Sequence, residues 1–359
     1  MTPLEELEAK LARIRALLER RGKSGVLLSS FGPVSWLMPE RPTSLSILVT
    51  REAHILILQG SSATLPDGEL YEQAGFSIAA LPWWDLRSLA PEVLHVIPPD
   101  QLLSDQFIPG AQPLLREDAL ALRTPLLSSE VERFRQVGET LGVALTHVML
   151  HCRPGLTEHQ LAGMLAGTLT DMGMSGINPA AAADDRTLDW AEPVPTGRRM
   201  ERYAVVSVAA AQHGMYVSAT RSVHFGAPPE ELLQRHHACA GIDAALIAAT
   251  RPGRPLGELL ETGIHAYAAA GAPDGWQRYP FGHAIGYELI DALVGPEEVT
   301  AVGPPQAFAW SPTLPGVRSH DTMLVTETGH EILTRTPDLP TLTIETPAGP
   351  IERPAILVR

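Results

Sequence analysis

Two histidines and three serines in the second half of the chain have the side chains best suited to chemistry. They stand with an arginine and an aspartate in strand-like segments, and the set is Ser207, Ser218, His283, Ser311, Arg318, His320 and Asp321. Either imidazole could act as a general base or as a metal ligand. A serine beside an imidazole, with Asp321 behind, could act as a nucleophile if an oxyanion hole were present. Because the sequence lacks the Gly-x-Ser-x-Gly turn that exposes such a serine, this chemistry is disfavoured.

The charge balance separates two classes of partner. The 359 residues carry 41 Asp plus Glu against 27 Lys plus Arg, a formal net charge of −14. An acidic chain lacks the basic surface of nucleic-acid-binding proteins, so no nucleic-acid partner is expected. Excess acids could instead hold divalent cations, which has to be tested at individual positions. No apolar run approaches the roughly 18 residues of a membrane span, so no membrane association is expected.

Cysteine usage and the first residues indicate the compartment. Cys152 and Cys239 are the only cysteines and lie far apart. Neither a disulfide scaffold nor a thiolate zinc site is expected from them. Leucines and an isoleucine at steps of three and four between Met1 and Arg21 predict an amphipathic helix rather than a signal peptide. The sequence therefore predicts a cytoplasmic protein.

Strand-sized apolar runs alternate with helical stretches through the first third of the chain. This alternation predicts a small α/β domain. We place it at residues 1–122 and a second domain at 123–359, with Leu114 to Leu127 as a linker around Pro125. In the first domain, at least one of Trp83 and Trp84 is expected to pack in the core.

The second half contains a long helix, a turn and a shorter helix twice. Arg153-Pro154-Gly155 forms the first of these turns and Arg251-Pro252-Gly253 the second, which suggests an internal duplication. Between the two helix pairs, Tyr203–Ala211 and Met215–Val223 are predicted to form paired strands. His236-His237 on the second long helix is expected at the surface.

Four segments of the second half, in this order and spacing, resemble the creatinase / aminopeptidase P / prolidase family. They are Val205-Val206-Ser207 with Ser218-Ala219-Thr220-Arg221, Phe281-Gly282-His283-Ala284-Ile285-Gly286, Trp310-Ser311-Pro312, and Gly316-Val317-Arg318-Ser319-His320-Asp321-Thr322. The first domain is similar to that family's small N-terminal domain at Gly25-Val26-Leu27-Leu28-Ser29. The resemblance implies an α/β (α+β) protein with a creatinase-type α/β domain followed by a pita-bread domain with an internal pseudo-twofold. It also implies a homodimer.

The resemblance assigns positions to metal ligands as well. The family's metallopeptidases hold two divalent metals with two aspartates, one histidine and two glutamates. The aspartate positions, eleven residues apart, are Ser207 and Ser218 here. The histidine is kept as His283, while Ser311 and His320 replace the glutamates. Four of the five ligands therefore differ, and each change removes a carboxylate.

Loss of the metals and loss of the carboxylates belong together chemically. Hard divalent ions need anionic oxygen ligands, whereas four carboxylates without metal would repel one another. Serine hydroxyls can instead form local hydrogen bonds. His283 and His320 alone would make an incomplete shell for a single soft ion. We therefore expect no metal and no cofactor, with the excess acids on the surface.

Further parts of the family's catalytic machinery are also altered. A second histidine of the family falls at Ile290, followed by Asp291, and its substrate-side histidine would fall near Trp190–Glu192, where none is present. Arg318 and Asp321 match the family. Arg318 could still meet a ligand that carries a carboxylate.

Three functions remain open. The first is a pita-bread protein that has lost its dinuclear metal site and peptidase chemistry and binds a small polar ligand, a peptide or a protein partner. The second is a metal-independent amidohydrolase of the creatinase type, acting on a small amide or amidine with His283 or His320 as base. The third is an Xaa-Pro dipeptidase or aminopeptidase, which homology alone suggests.

Overall fold

A computed structural model describes residues 1–40, 45–60, 65, 67–85, 87–188, 193–296 and 298–359. The chain forms two compact units, Met1–Glu130 and Val131–Arg359. Residue 122, where we placed the domain boundary, lies inside a helix, Arg116–Arg123. The middle of the predicted linker is therefore helical, and its Leu120 and Leu122 side chains are buried.

The described residues of the first unit form a six-stranded mixed sheet and five α-helices. Its helices are α1 (Pro3–Arg21), α2 (Phe31–Leu37), α3 (Gly68–Gln73), α4 (Leu89–Val96) and α5 (Arg116–Arg123). Its strands are β1 (Gly25–Leu28), β2 (Leu45–Thr50), β3 (His54–Gln59), β4 (Phe76–Leu81), β5 (Leu102–Ser104) and β6 (Gln112–Pro113). The strand order is β4-β3-β2-β1-β5-β6. Buried side chains such as Leu27, Leu48 and Ile57 form its core.

The tryptophan pair of the first unit differs from expectation. Trp83 is 69% exposed and Trp84 is 72% exposed, so neither packs in the core. They follow β4, an edge strand of the sheet, and contact each other edge to face with ring centroids 5.8 Å apart. Position at the sheet edge, which the composition of the segment does not reveal, explains the error.

The second unit contains most of the chain. Helix α6 (Ser128–His151) leads into it, and α7 (Glu158–Asp171), α8 (Glu230–Ala249) and α9 (Leu256–Ala269) follow. Its strands are β7 (Ser175–Ala183), β8 (Tyr203–Gln212), β9 (Met215–His224), β10 (Gly282–Ile285), β11 (Ala292–Leu293), β12 (Gln306–Trp310), β13 (Thr313–Leu314), β14 (Val317–Arg318), β15 (Asp321–Thr326), β16 (Gly329–Ile332), β17 (Thr341–Thr346), β18 (Gly349–Pro354) and β19 (Leu357–Val358). The main sheets are β19-β9-β8-β7 and β11-β10-β12-β15-β16.

The second unit repeats one arrangement. In both halves, a long helix is followed by an Arg-Pro-Gly turn and a helix of 14 residues, α7 or α9. Gly155 and Gly253 end the turns with φ of 89° and 76°, in the left-handed region that favours glycine. Their amides donate to Met200 O and Val302 O, each at 2.8 Å. This repetition agrees with the internal duplication suggested by the sequence.

Helix α6 packs its backbone closely against the segment after β16. A Cβ on Gly138 would lie 2.6 Å from Leu333 O, and a Cβ on Gly142 would overlap Arg335 O. Only glycine permits this approach, so the two glycines fix where residues 333–335 lie relative to the helix.

His236 on α8 corrects another expectation. The side chain is buried, whereas His237 is exposed, because adjacent residues on a helix face different directions. His236 Nε2 lies 2.8 Å from Pro354 O, to which it must donate. None of the helices in the described part of the chain is both long and apolar enough to span a membrane.

Candidate functional site

The hairpin of β8 and β9 positions two of the candidate serines. Ser207 lies opposite Thr220 and Ala209 opposite Ser218 in the antiparallel register. Since residues two apart on a strand share a face, Ser207, Ser218 and Thr220 project from the same face of the hairpin. Thr220 Oγ1 donates to Ser207 Oγ at 2.9 Å.

His320, just before β15, completes a hydrogen-bonded chain with these hydroxyls. Its Nε2 lies 2.8 Å from Ser218 Oγ and its Nδ1 lies 3.1 Å from Thr220 Oγ1. Since the Thr220 hydrogen points to Ser207, His320 Nδ1 donates to Thr220 and its Nε2 accepts from Ser218. We call Ser207, Ser218, Thr220 and His320 the hydroxyl–imidazole network. One neutral arrangement of hydrogens satisfies every link in it.

The surroundings of His320 keep its ring neutral. Burial lowers the pKa of His320 well below its ordinary value of 6.5, and the positive charge of Arg318 and the neighbouring His283 lower it further. A Ser–His contact of this kind resembles the start of a nucleophile–base pair. The lowered pKa, however, makes His320 a weak base, so the geometry alone does not make Ser218 a nucleophile.

A second buried network lies directly behind the first. Asp321 Oδ1 accepts from Arg221 Nη2 and Asp321 Oδ2 from Arg353 Nη2, both at 2.8 Å. Arg353 Nε also donates to Asp243 Oδ2 at 2.8 Å, and Thr334 Oγ1 donates to Asp321 Oδ1 at 2.7 Å. We call Arg221, Asp243, Asp321 and Arg353 the arginine–aspartate network. Its two positive and two negative charges balance away from solvent.

His283 and Ser311 occupy the neighbouring sheet. His283 lies on β10 opposite Ala309 of β12 and is half-buried. Its Nδ1 is 3.2 Å from Ala284 O, and since a carbonyl only accepts, Nδ1 carries the hydrogen. Ser311 follows β12, is buried, and its amide donates to Phe281 O at 2.8 Å.

Arg318 lies near a cavity on one side of the unit. Arg318 is half-buried on β14, opposite Thr313 of β13. Thr313 lines a cavity of 490 Å³, together with Asp274, Arg278 and Tyr279 from the segment before β10. This volume is within the range of small-molecule sites. None of the seven candidate residues from the sequence is among the described residues that line this cavity.

The structure thus joins part of the predicted set and adds members to it. Ser207, Ser218 and His320 are linked by hydrogen bonds, and Asp321 lies in the adjoining network. The sequence reading missed four residues that complete these networks, namely Thr220, Arg221, Asp243 and Arg353. The first two stood in the quoted Ser218-Ala219-Thr220-Arg221 segment, so strand alternation could have found Thr220.

Of the other two positions where the resemblance expects catalytic histidines, the structure describes the one around Ile290. Ile290 is 44% exposed, and Asp291 is buried with its amide donating to Ala284 O. Trp190–Glu192 lie outside the described residues. Within the parts of the chain that the structure covers, no three or more His, Cys, Asp or Glu side chains are grouped so that they could hold a metal ion.

Comparison with known proteins identifies the family. A family model described as Metallopeptidase family M24 matches residues 132–327. This span is more than half of the 359 residues. The chain belongs to metallopeptidase family M24. The resemblance that the sequence motifs indicated is thereby confirmed.

The individual relatives found by sequence have low identity to this chain. An uncharacterized peptidase of Staphylococcus epidermidis is 22% identical over 244 residues, which are 64% of this chain and 65% of that protein. The match therefore spans less than two thirds of that relative's length.

Solved structures match over more of the chain. An Xaa-Pro dipeptidase from Bacillus anthracis matches with a TM-score of 0.78 at 18% identity, over 98% of this chain and 100% of that chain. The N-terminal domain of FACT complex subunit SPT16 from Cicer arietinum matches with a TM-score of 0.73 at 10% identity, over 93% and 97%. The expected α/β fold, a pita-bread domain preceded by a small N-terminal domain, is confirmed.

Proposed function

We propose that this M24 protein works without a dinuclear metal site, as a binding protein rather than a peptidase. The hydroxyl–imidazole network carries the proposal. Ser207, Ser218 and His320 stand at three of the five positions where the resemblance places metal ligands, and with Thr220 they satisfy one another's hydrogen bonds. A metal bound there would have to break these bonds.

The donor set does not fit two hard divalent cations. The five positions carry three hydroxyls and two imidazoles, and such ions require anionic oxygen. Burial and nearby arginine lower the pKa of His320, so the site already disfavours positive charge. The same environment would oppose a divalent cation. We therefore derive no reaction step through a metal.

A binding role has separate support. The 490 Å³ cavity offers Arg278, Asp274 and Tyr279 to a small polar ligand or a peptide end. A domain of a FACT complex subunit has a similar fold, so this fold also occurs in a subunit of a protein complex. Assembly as a homodimer and a cytoplasmic location are parts of the same proposal.

Metal stoichiometry and peptidase activity of the full chain test the proposal. The unaltered protein should bind no Mn²⁺ at micromolar concentration and should hydrolyse no Xaa-Pro dipeptide. A variant with Ser207→Asp, Ser218→Asp, Ser311→Glu and His320→Glu should gain Mn²⁺ binding, because it regains the anionic oxygens. Two equivalents of Mn²⁺ on the unaltered protein at micromolar affinity would overturn the proposal.

A creatinase-type amidohydrolase is the second candidate, favoured by the geometry of His283. This ring is half-buried and its Nδ1 donates to Ala284 O, which leaves Nε2 as the nitrogen with the lone pair. His320 is less suited as a base, because burial lowers its pKa well below the ordinary value of 6.5. A screen of small amides and amidines should then find an activity that His283→Ala abolishes. Activity that survives both His283→Ala and His320→Ala would contradict this candidate.

An Xaa-Pro dipeptidase or aminopeptidase is the third candidate. The M24 match and the likeness to an Xaa-Pro dipeptidase support it. The missing carboxylates oppose it. Hydrolysis of Ala-Pro in the presence of added Mn²⁺ would favour it over the first two.

A further inference from the structure

A histidine pair on α6 stands apart from the site described above. His147 and His151 are both exposed, four residues apart, and therefore on one face of the helix. Their rings stack with centroids 4.1 Å apart and an interplanar angle of 29°. The two imidazoles are thus held side by side at the surface.

A hydrogen bond within the helix sets the tautomer of His151. Its Nδ1 lies 2.8 Å from His147 O. Since a carbonyl oxygen can only accept, Nδ1 carries the hydrogen, and the lone pair of the neutral ring is on Nε2. Metal-binding histidines show the same pattern, in which the second ring nitrogen donates to a carbonyl or carboxylate and fixes the ring.

We propose that His147 and His151 form a two-histidine site for a borderline divalent cation, with Cu²⁺ preferred over Ni²⁺ and Zn²⁺. Imidazole nitrogens suit these ions, and divalent copper binds most tightly among them. Water would fill the remaining coordination positions. Mn²⁺ and Mg²⁺ prefer oxygen ligands and are excluded by the same argument.

The site has a consequence for any study of metals in this protein. Copper or zinc bound at α6 involves none of the five positions where the family's metallopeptidases hold their ions. One equivalent of Cu²⁺ would therefore leave the proposal of a lost dinuclear site intact. Mn²⁺ binding, in contrast, would bear on that proposal and not on this one.

Calorimetric titration of the full chain with Cu²⁺, combined with electron paramagnetic resonance, tests the site. We expect one equivalent of Cu²⁺ with two nitrogen ligands in its spectrum. His147→Ala and His151→Ala should each weaken binding on the order of 100-fold, because two linked ligands bind far more tightly than one. His237→Ala removes a single exposed histidine from α8 and serves as the matched control, with unchanged affinity expected.

The possible outcomes are distinct. Alanine is favourable in an exposed helix, so the variants should keep their circular dichroism and a loss of binding should not reflect unfolding. Absence of Cu²⁺ binding in the unaltered protein would overturn the proposal. So would a Cu²⁺ affinity of His147→Ala or His151→Ala equal to that of the unaltered protein, or a loss of affinity in His237→Ala as large as in these two variants.

Discussion

The hydroxyl–imidazole network and the arginine–aspartate network adjoin each other, but the first is built from neutral groups and the second from charged groups. Thr220 of the first is followed in the chain by Arg221 of the second, and His320 by Asp321. All groups of the first are neutral when the His320 ring is unprotonated. In the second, the side chains of Arg221, Asp321 and Arg353 are at most 2% exposed, yet are charged.

The difference indicates when this chain keeps a buried carboxylate. Asp321 and Asp243 remain because Arg221 and Arg353 supply the compensating charge. At the positions where the resemblance places metal ligands, the compensating charge would have to be a metal, and there the chain carries hydroxyls and imidazoles. A buried charge is tolerated only with a partner, so the two networks follow one rule with different partners.

Removing a charge from the arginine–aspartate network should have the largest effect. Arg353→Ala would leave Asp243 and Asp321 with too little positive charge, and the free energy of unfolding should fall by about 3–5 kcal/mol. Urea denaturation measures it. Arg335→Ala is the control, since Arg335 and Glu352 form an exposed pair at 3.7 Å, and should cost less than about 1 kcal/mol. Equal losses of unfolding free energy in the two variants would show that the buried charges of the arginine–aspartate network matter no more than an exposed ion pair.

Removing a hydroxyl from the neutral network should cost less. Ser218→Ala would leave His320 Nε2 without its donor, at an expected cost of about 1–3 kcal/mol in the free energy of unfolding. Thr170→Ala is the comparison, because the Thr170 hydroxyl bonds Ala166 O on an exposed helix surface. That change should stay within about 0.5 kcal/mol. A Ser218→Ala protein as stable as the unaltered one would show that the network is not formed.

Acid should weaken the fold through His320. Burial and Arg318 lower the pKa of His320 below 6.5, so below about pH 6.5 the unfolded chain binds a proton that the folded one does not. Stability should therefore fall as the pH drops through that range, by at most about 1.4 kcal/mol per pH unit for this residue.

The matched variant for this effect is His320→Gln. Urea denaturation at several values between pH 7 and pH 5 should give it a shallower dependence on pH than the unaltered protein. His54, His236 and His330, whose pKa values burial also lowers, are present in both proteins. Identical slopes in the two proteins would contradict a lowered pKa of His320 in the folded state.

Local patterns predicted much of the fold and part of the site. The predicted strands around Ser207 and Ser218 end within one residue of β8 and β9. Both serines lie on one hairpin, eleven residues apart, so their proximity depends only on local structure and could be predicted from the sequence. The motifs singled out His283 and His320, and the structure places them on β10 and just before β15.

Features made by distant segments could not be predicted. Asp243 and Arg353 are 110 residues apart, and only the packed α8 and β18 bring them together. The same holds for His236, whose burial depends on Pro354. Trp83 and Trp84 look like core residues by composition, and only their place beside an edge strand leaves them exposed.

The close approach of α6 to residues 333–335 limits how the site can be rebuilt. Thr334 supplies a hydroxyl to Asp321 and a carbonyl to Arg221, and Gly138 and Gly142 set its distance from the helix. A library of variants around the two networks should therefore keep both glycines fixed. A side chain at either glycine would push residues 333–335 away from the helix and move Thr334 out of hydrogen-bond distance of Asp321 and Arg221. The redesign would then fail although none of the network residues had been changed.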